Sequence, residues 1–498
     1  MPRTTVGGIK PFRRPEGKRP RSAKCFVSNN KMTRRRAGRD SMEVAAASWQ
    51  APPAAGWRGS AMASDGAAGL GTFSTLSIGI GGMVGGGIFA VTGLTIEVTR
   101  GAAPLAFVIA GVVALLTSYS YLKLTLAFPG EGGTVDFLNR GFGDGVLTGA
   151  ANILLLLSYV VLLAVYAYAF GSYGADFLPE SGRGFWQHVL ISGVLIGLLA
   201  TNVLAAGLVV RSENFFNALK MLLLGGFLLA GFLTPMDWSR LSPEHAVSPM
   251  GLIAGAMLIF LNYEGFELIA NASKDVADPR RSLPVAYIGG VLIAILLYAL
   301  IAIVVLGHLS FEAIAARRDT ALSAAGEAIL GRAGFLAIAV AALTATSSAI
   351  NATFYSTGRL TYIVAKTGEL PRELERPIRG EHAEGTLIVA AMALLIANLV
   401  PLEAIATMGS AGFLLIFMGV NIANVRLARQ TGSRAWISAL AALATGFALV
   451  VLCVEVDENP ATRNHLWILA GMIALSLAIE IVYRGVTGRK LRLGGAGR

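Results

Sequence analysis

Cysteine is almost missing from this chain: two in 498 residues, Cys25 and Cys453, far apart in unlike surroundings. They supply neither a disulfide framework nor the spacing of a metal site. Histidine is as scarce, with five scattered residues. No His/Asp or His/Glu cluster lies within an apolar segment, so a membrane-embedded enzyme lacks its nucleophile, base or metal, and no cofactor is implied. Charge is thin as well. Only 14% of residues are charged, against about 25% in soluble domains. With 54% hydrophobic residues and a mean hydropathy of +0.64, the composition predicts an all-α polytopic membrane protein, its partner the lipid bilayer.

The formal charge of +11 is local. Residues 1–69 carry 14 Lys and Arg against Glu16, Asp40, Glu43 and Asp65. This stretch, rich in Pro, Gly, Ala and Arg without an apolar period, reads as a disordered basic cytoplasmic tail, or as an over-extended start with Met42 or Met62 the later alternatives. Aromatics are not interleaved with its basic residues, so no nucleic-acid partner is expected. No apolar core follows the first basic cluster, which argues against a cleaved signal peptide.

About 20 mostly apolar residues make a span. Twelve candidates follow: 71–96, 102–128, 145–176, 187–208, 214–234, 249–273, 283–308, 324–355, 386–401, 403–425, 434–454 and 464–484. An even number puts both termini on one side. With the N-terminus inside, inner loops and the C-terminal tail (486–498) hold 18 Lys and Arg, outer loops 7, so both termini are expected in the cytoplasm.

Two spans are broken in composition. Gly79–Phe89 packs six glycines into the first. Backbone left unpaired in hydrocarbon costs several kcal/mol per group, so irregular chain there belongs beside protein or a polar cavity. A helix break aimed at a solute is one reading. Close helix packing through small residues is the other. Span six carries Asn262, Glu264, Gly265 and Glu267 at mid-membrane, where carboxylates are costly and functional by default. Glycine-interrupted helices at matching places in two halves mark an inverted-repeat transporter. Glu267 alternatively braces a neighbouring helix. Lys220 lies about 10 Å inside span five, either snorkelling or carrying a proton. In span eight, Ser347 and Asn351 share a face, as do Thr344 and Ser348, and such hydroxyls commonly bond the preceding turn. The polar runs 129–139 and 275–284 read as gates or as ordinary turns, with Pro279 and Pro284 stopping and restarting helices.

Three stretches in order resemble the amino acid–polyamine–organocation superfamily of permeases, built on the leucine-transporter fold. They are Val84-Gly-Gly-Gly-Ile-Phe89, Phe260–Glu267 with Lys274–Pro284, and Asn351–Leu360 with Gly368-Glu-Leu-Pro371. The resemblance covers about 70–485. It implies a permease domain of two inverted five-helix repeats (70–235 and 249–425) plus two C-terminal helices (434–484). It implies further that a substrate carboxylate sits on amides around Val84, Gly85, Gly86, Gly87 and Ile88. The ammonium would lie on carbonyls around Phe260, Leu261, Asn262 and Glu264. Lys220, with Ser347 or Ser348, matches the proton-coupling position, and Glu267 is taken as a gating residue. Two departures stand out. The middle motif residue, often Ser or Ala in the family, is Gly86, and an aromatic common after the Gly132-Gly133 pair is replaced by Thr134-Val135.

The expected function is a secondary active amino acid transporter of the cell membrane, by proton-coupled symport with alternating access. Alternatives are an exchanger of the same fold, or an amino acid sensor that binds without transporting. No obligate protein partner is suggested.

Overall fold

The computed structural model describes residues 69–371 and 383–488, with backbone alone at 204–215, 383 and 384. The expected N-terminal tail and most of the C-terminal one lie outside these residues.

Every described element is helical; two isolated backbone bridges, Leu70–Val276 and Arg100–Ala246, are the only strand-like pairings among the described residues. The first crossing is α1 (Thr72–Met83) and α2 (Gly87–Thr99), bent 47° where they meet. Then come α3 (Ala103–Ala127), a short α4 (Gly133–Phe142) and α5 (Val146–Ala175). Helix α6 is recorded over Arg183–Leu233 and holds two apolar segments, Arg183–Val203 and Phe216–Leu233. Helix α7 (Pro249–Leu258) runs into a 3-10 turn at Phe260–Tyr263 and α8 (Leu268–Asn271), with a 49° bend. Helix α9 (Pro279–Pro284) passes through a π turn, Val285–Gly289, into α10 (Gly290–His308). Helix α11 (Phe311–Ala316) precedes α12 (Ala321–Lys366), which is kinked at Gly331 with φ +61°. The chain closes with α13 (Ala383–Leu399), α14 (Leu402–Arg426), α15 (Ala428–Thr431), α16 (Ala435–Glu458) and α17 (Asn464–Thr487).

Among the described residues nine helices are long and apolar enough to cross a membrane, or up to eleven crossings if each bent pair counts as one. The expected span 386–401 corresponds to α13, whose apolar part, Gly385–Leu399, is shorter than the rest. Helices α5 and α14 lie deepest, with 83% and 78% of their apolar windows buried, against 11% for Arg183–Val203 and 22% for α17. Apolar side chains on the outer helices therefore face the lipid, and those of α5 and α14 form the core against which the broken crossings pack.

Both polar loops are more ordered than turns. Buried Val135, Leu138 and Gly141 share one face of α4. Pro279 opens α9, where its missing N–H has no intrahelical role, and Asp278 Oδ1 caps the Arg281 amide at 3.3 Å. Pro284, expected to restart a helix, sits inside one, and the π turn that follows absorbs the hydrogen bond it cannot make. The first loop is tied to the residues just ahead of the second: Gly130 N donates to Ser273 Oγ at 3.3 Å, and Ser273 Oγ donates to Gly130 O at 3.3 Å.

Candidate functional site at two broken crossings

The ladder of α1 ends at Val84 N on Ile80 O, 2.8 Å, and that of α2 begins at Ala90 N on Gly86 O, 3.1 Å. A helix start leaves its first amides without intrahelical acceptors, so the N–H groups of Gly87, Ile88 and Phe89 emerge at this break. Val84, Gly85, Gly86, Gly87 and Ile88 are all buried. The partial positive charge of the α2 N-terminus sits there too, and it favours an anion.

Side-chain space explains the glycines. A Cβ on Gly86 would stand 2.7 Å from Tyr166 Cδ1 and 2.9 Å from Thr346 Cγ2. The Ser or Ala common at that motif position does not fit beneath this tyrosine ring. A Cβ on Gly87 would run into Asn262 Oδ1. Deeper in α1, a Cβ on Gly82 would lie 2.9 Å from Gly265 Cα, and one on Gly265 would fall on the backbone of Gly82 and Met83. The glycine run both packs and breaks. Gly79 and Gly82 pack the first crossing against the sixth, while Gly85–Gly87 form the break.

The sixth crossing breaks by tightening. Asn262 N bonds Ile259 O (2.9 Å), Glu264 N bonds Leu261 O (3.2 Å), and Leu268, Ile269 and Ala270 continue in the same three-residue step. The Leu261 carbonyl thus already accepts one hydrogen bond; a carbonyl has room for a second. Phe260, Leu261, Asn262, Glu264 and Glu267 are all buried. Asn262 Oδ1 and Nδ2, Glu264 Oε1 and Glu267 Oε2 meet no hydrogen-bond partner among the described residues. Buried polar atoms are nearly always paired, so these four stand out among the described residues.

Other spans brace the breaks. Ser410 Oγ on α14 donates to Leu258 O (2.8 Å) and accepts from Leu261 N (3.2 Å). Tyr298 Oη on α10 stands 2.5 Å from Met83 O and 3.1 Å from Asn262 O, tying the ends of both breaks to one hydroxyl. Tyr159 Oη on α5 donates to Glu267 Oε1. None of these three was singled out in the sequence. Tyr298 and Tyr159 are hydroxyls in otherwise apolar runs, which is the signal that would have found them.

Lys220 is 1% exposed, and its Nζ donates to Gly81 O at 3.2 Å, touching the first crossing. Ser348 is buried and Ser347 half-buried on α12. Thr344 and Thr346 bond the preceding turn at Val340 O and Ala342 O, both at 2.7 Å. Asn351 Oδ1 accepts from Asn202 Nδ2 at 2.6 Å.

Ion pairs lie on either side of the breaks. On one, Asp176 holds Arg317 (3.1 Å) and Arg183 (3.5 Å), Arg318 meets Glu97 (3.4 Å), and Tyr168 donates to Asp319 (3.2 Å). On the other, Glu131 holds Arg359 (3.0 Å) and Lys274 (3.7 Å), and Glu131 and Arg359 line a small cleft of about 20 Å³ together with Tyr159 and Asn271. Among the described residues no cluster of three or more His, Cys, Asp or Glu is placed to hold a metal ion.

Compared with known proteins, residues 70–477 match the family described as amino acid permease. An uncharacterized protein of Methanocaldococcus jannaschii is 32% identical over 425 residues, covering 84% of this chain and 96% of its own length. The inner membrane transport protein YbaT of Escherichia coli is 30% identical, covering 83% and 96%. The branched-chain amino acid permease BcaP of Bacillus subtilis is 23% identical, covering 81% and 91%.

Proposed function

This chain belongs to the amino acid permease family, and we infer that it moves amino acids across the cell membrane by proton-coupled symport with alternating access. The family and its relatives are transporters, not enzymes. On this reading twelve crossings form two inverted five-helix repeats, 70–235 and 249–425, with 434–484 as the last two helices and both termini in the cytoplasm.

One observation carries the proposal: two crossings bend, by 47° and 49°, with Gly82 of one against Gly265 of the other. The zwitterion fits this junction by charge. Its carboxylate lies on the amides at Gly85, Gly86 and Gly87, at the positive end of α2. Its ammonium lies against the acceptor side, where Asn262 Oδ1 and Glu264 Oε1 want donors. Lys220, bonded to Gly81 O, changes protonation as the first crossing tilts, with Ser347 and Ser348 beside its path. Glu267 and the Glu131–Arg359 pair gate the inner side.

Protein reconstituted in liposomes should accumulate a labelled amino acid faster under an inward proton gradient than without one. Lys220→Ala should remove that stimulation while leaving exchange of labelled for unlabelled substrate. Uptake that ignores protons and follows sodium overturns the coupling, and binding without uptake overturns transport.

A further inference from the structure

We propose that Glu264 and Glu267 form a single proton-holding pair, loaded through Tyr159 from the Glu131–Arg359 cleft. The use of that proton in transport rests on the function inferred above; the pairing itself does not.

Glu264 and Glu267 are three residues apart in a stretch wound in three-residue steps, and both have right-handed helical backbone. That step stacks i and i+3 side chains over each other. The i, i+3 spacing sets the two carboxyl groups on one side of the turn, within electrostatic reach of each other. Both are 2% exposed. Glu267 Oε1 takes the hydroxyl of Tyr159, yet Glu267 Oε2 and Glu264 Oε1 have no donor among the described residues. Two facing carboxylates are all acceptors, so the contact needs one hydrogen that neither brings when ionised. Like charges so close and so deep do not both ionise, and a single shared proton removes the repulsion and supplies the missing donor together.

The titratable groups within electrostatic reach of the pair are Tyr159 and Tyr166 from α5, Tyr121 from α3 and Tyr287 from the π turn. Lys220 of α6 bonds Gly81 O on the first crossing. Tyr159 differs from the other tyrosines in lining the cleft as well as touching Glu267. Its hydroxyl can release its proton to Glu267 while accepting one from solvent in the cleft. One O–H bond breaks at the phenol, one forms at the carboxyl, and the phenol is restored.

Infrared difference spectroscopy of purified protein in nanodiscs, without substrate, reads the pair directly. Wild type should show a protonated-carboxyl C=O band at neutral pH. Glu264→Gln and Glu267→Gln should each abolish it, since either change removes one half of the shared site. Tyr159→Phe, which keeps the ring in place, should keep the band but shift its frequency and slow its exchange in D₂O. That variant serves as the test even where a glutamine variant does not fold. A wild type without the band overturns the proposal, as does a band that survives both glutamine changes or ignores Tyr159→Phe. The band present in a protein that moves no amino acid would sink the transport reading alone. Proton-driven uptake without the band would sink the pair alone.

Discussion

At the residue scale, the decisive positions are those where a missing side chain lets backbones meet. Gly265 and Gly226 are both glycines in apolar crossings, and sequence does not rank them. Structure does. A Cβ at Gly265 would coincide with Gly82 and Met83 backbone, which cannot rotate away, whereas a Cβ at Gly226 finds nothing within 4 Å. Gly265→Ala should therefore lower stability by about 1–3 kcal/mol or more, the range for overpacking a filled site. Gly226→Ala should not, since alanine favours helix by up to ~1 kcal/mol over glycine. Thermal unfolding in detergent with a fluorescent thiol or tryptophan readout separates them. Equal melting temperatures would contradict the close approach.

At the element scale, each broken crossing is held open by groups from elsewhere in the chain. Tyr298 is the strongest case, because one hydroxyl serves Met83 O and Asn262 O, 215 and 36 residues away. Tyr298→Phe keeps the ring and removes the donor. Leaving a buried carbonyl short of its bond costs about 1–3 kcal/mol. The expected result is a lower melting temperature with faster amide exchange confined to residues 84–90 and 259–264, measured by hydrogen–deuterium exchange. Uniform protection would show that the breaks stand without it.

The existence and place of both breaks were legible in the sequence, since a glycine run and mid-span carboxylates are local signals. How the sixth crossing breaks was not, because tightening to three-residue steps and unwinding both follow from the same polar, glycine-containing stretch. The braces were hidden for a different reason. Ser410, Tyr298 and Tyr159 act over 36 to 215 residues, and although a hydroxyl in an apolar run is a signal, it does not name its partner. The helical character of 133–142 was likewise masked by its glycines, and only its burial pattern on α5 and α14 reveals why it forms.

At the scale of the whole molecule, charge and the family match divide at the same place. The family match begins at residue 70, and the basic stretch ends at 69. Leu70 is already part of the packed body: its amide donates to Asp275 O (2.6 Å), its carbonyl accepts from Ala277 N (3.0 Å), and it is 8% exposed. That pairing ties the start of the first crossing to the loop after the sixth, so the two broken elements are linked at their ends as well as at Gly82 and Gly265. A chain starting at Ala67 behind an initiator methionine should insert, melt and transport as the full chain does. One starting at Ser74 loses both hydrogen bonds and the Thr72–Ser282 contact (2.8 Å), which should lower its melting temperature and its uptake together. Equal behaviour of the two truncations would mean that the Leu70–Val276 pairing contributes nothing. Failure of the longer one would show that transport depends on residues ahead of the family match.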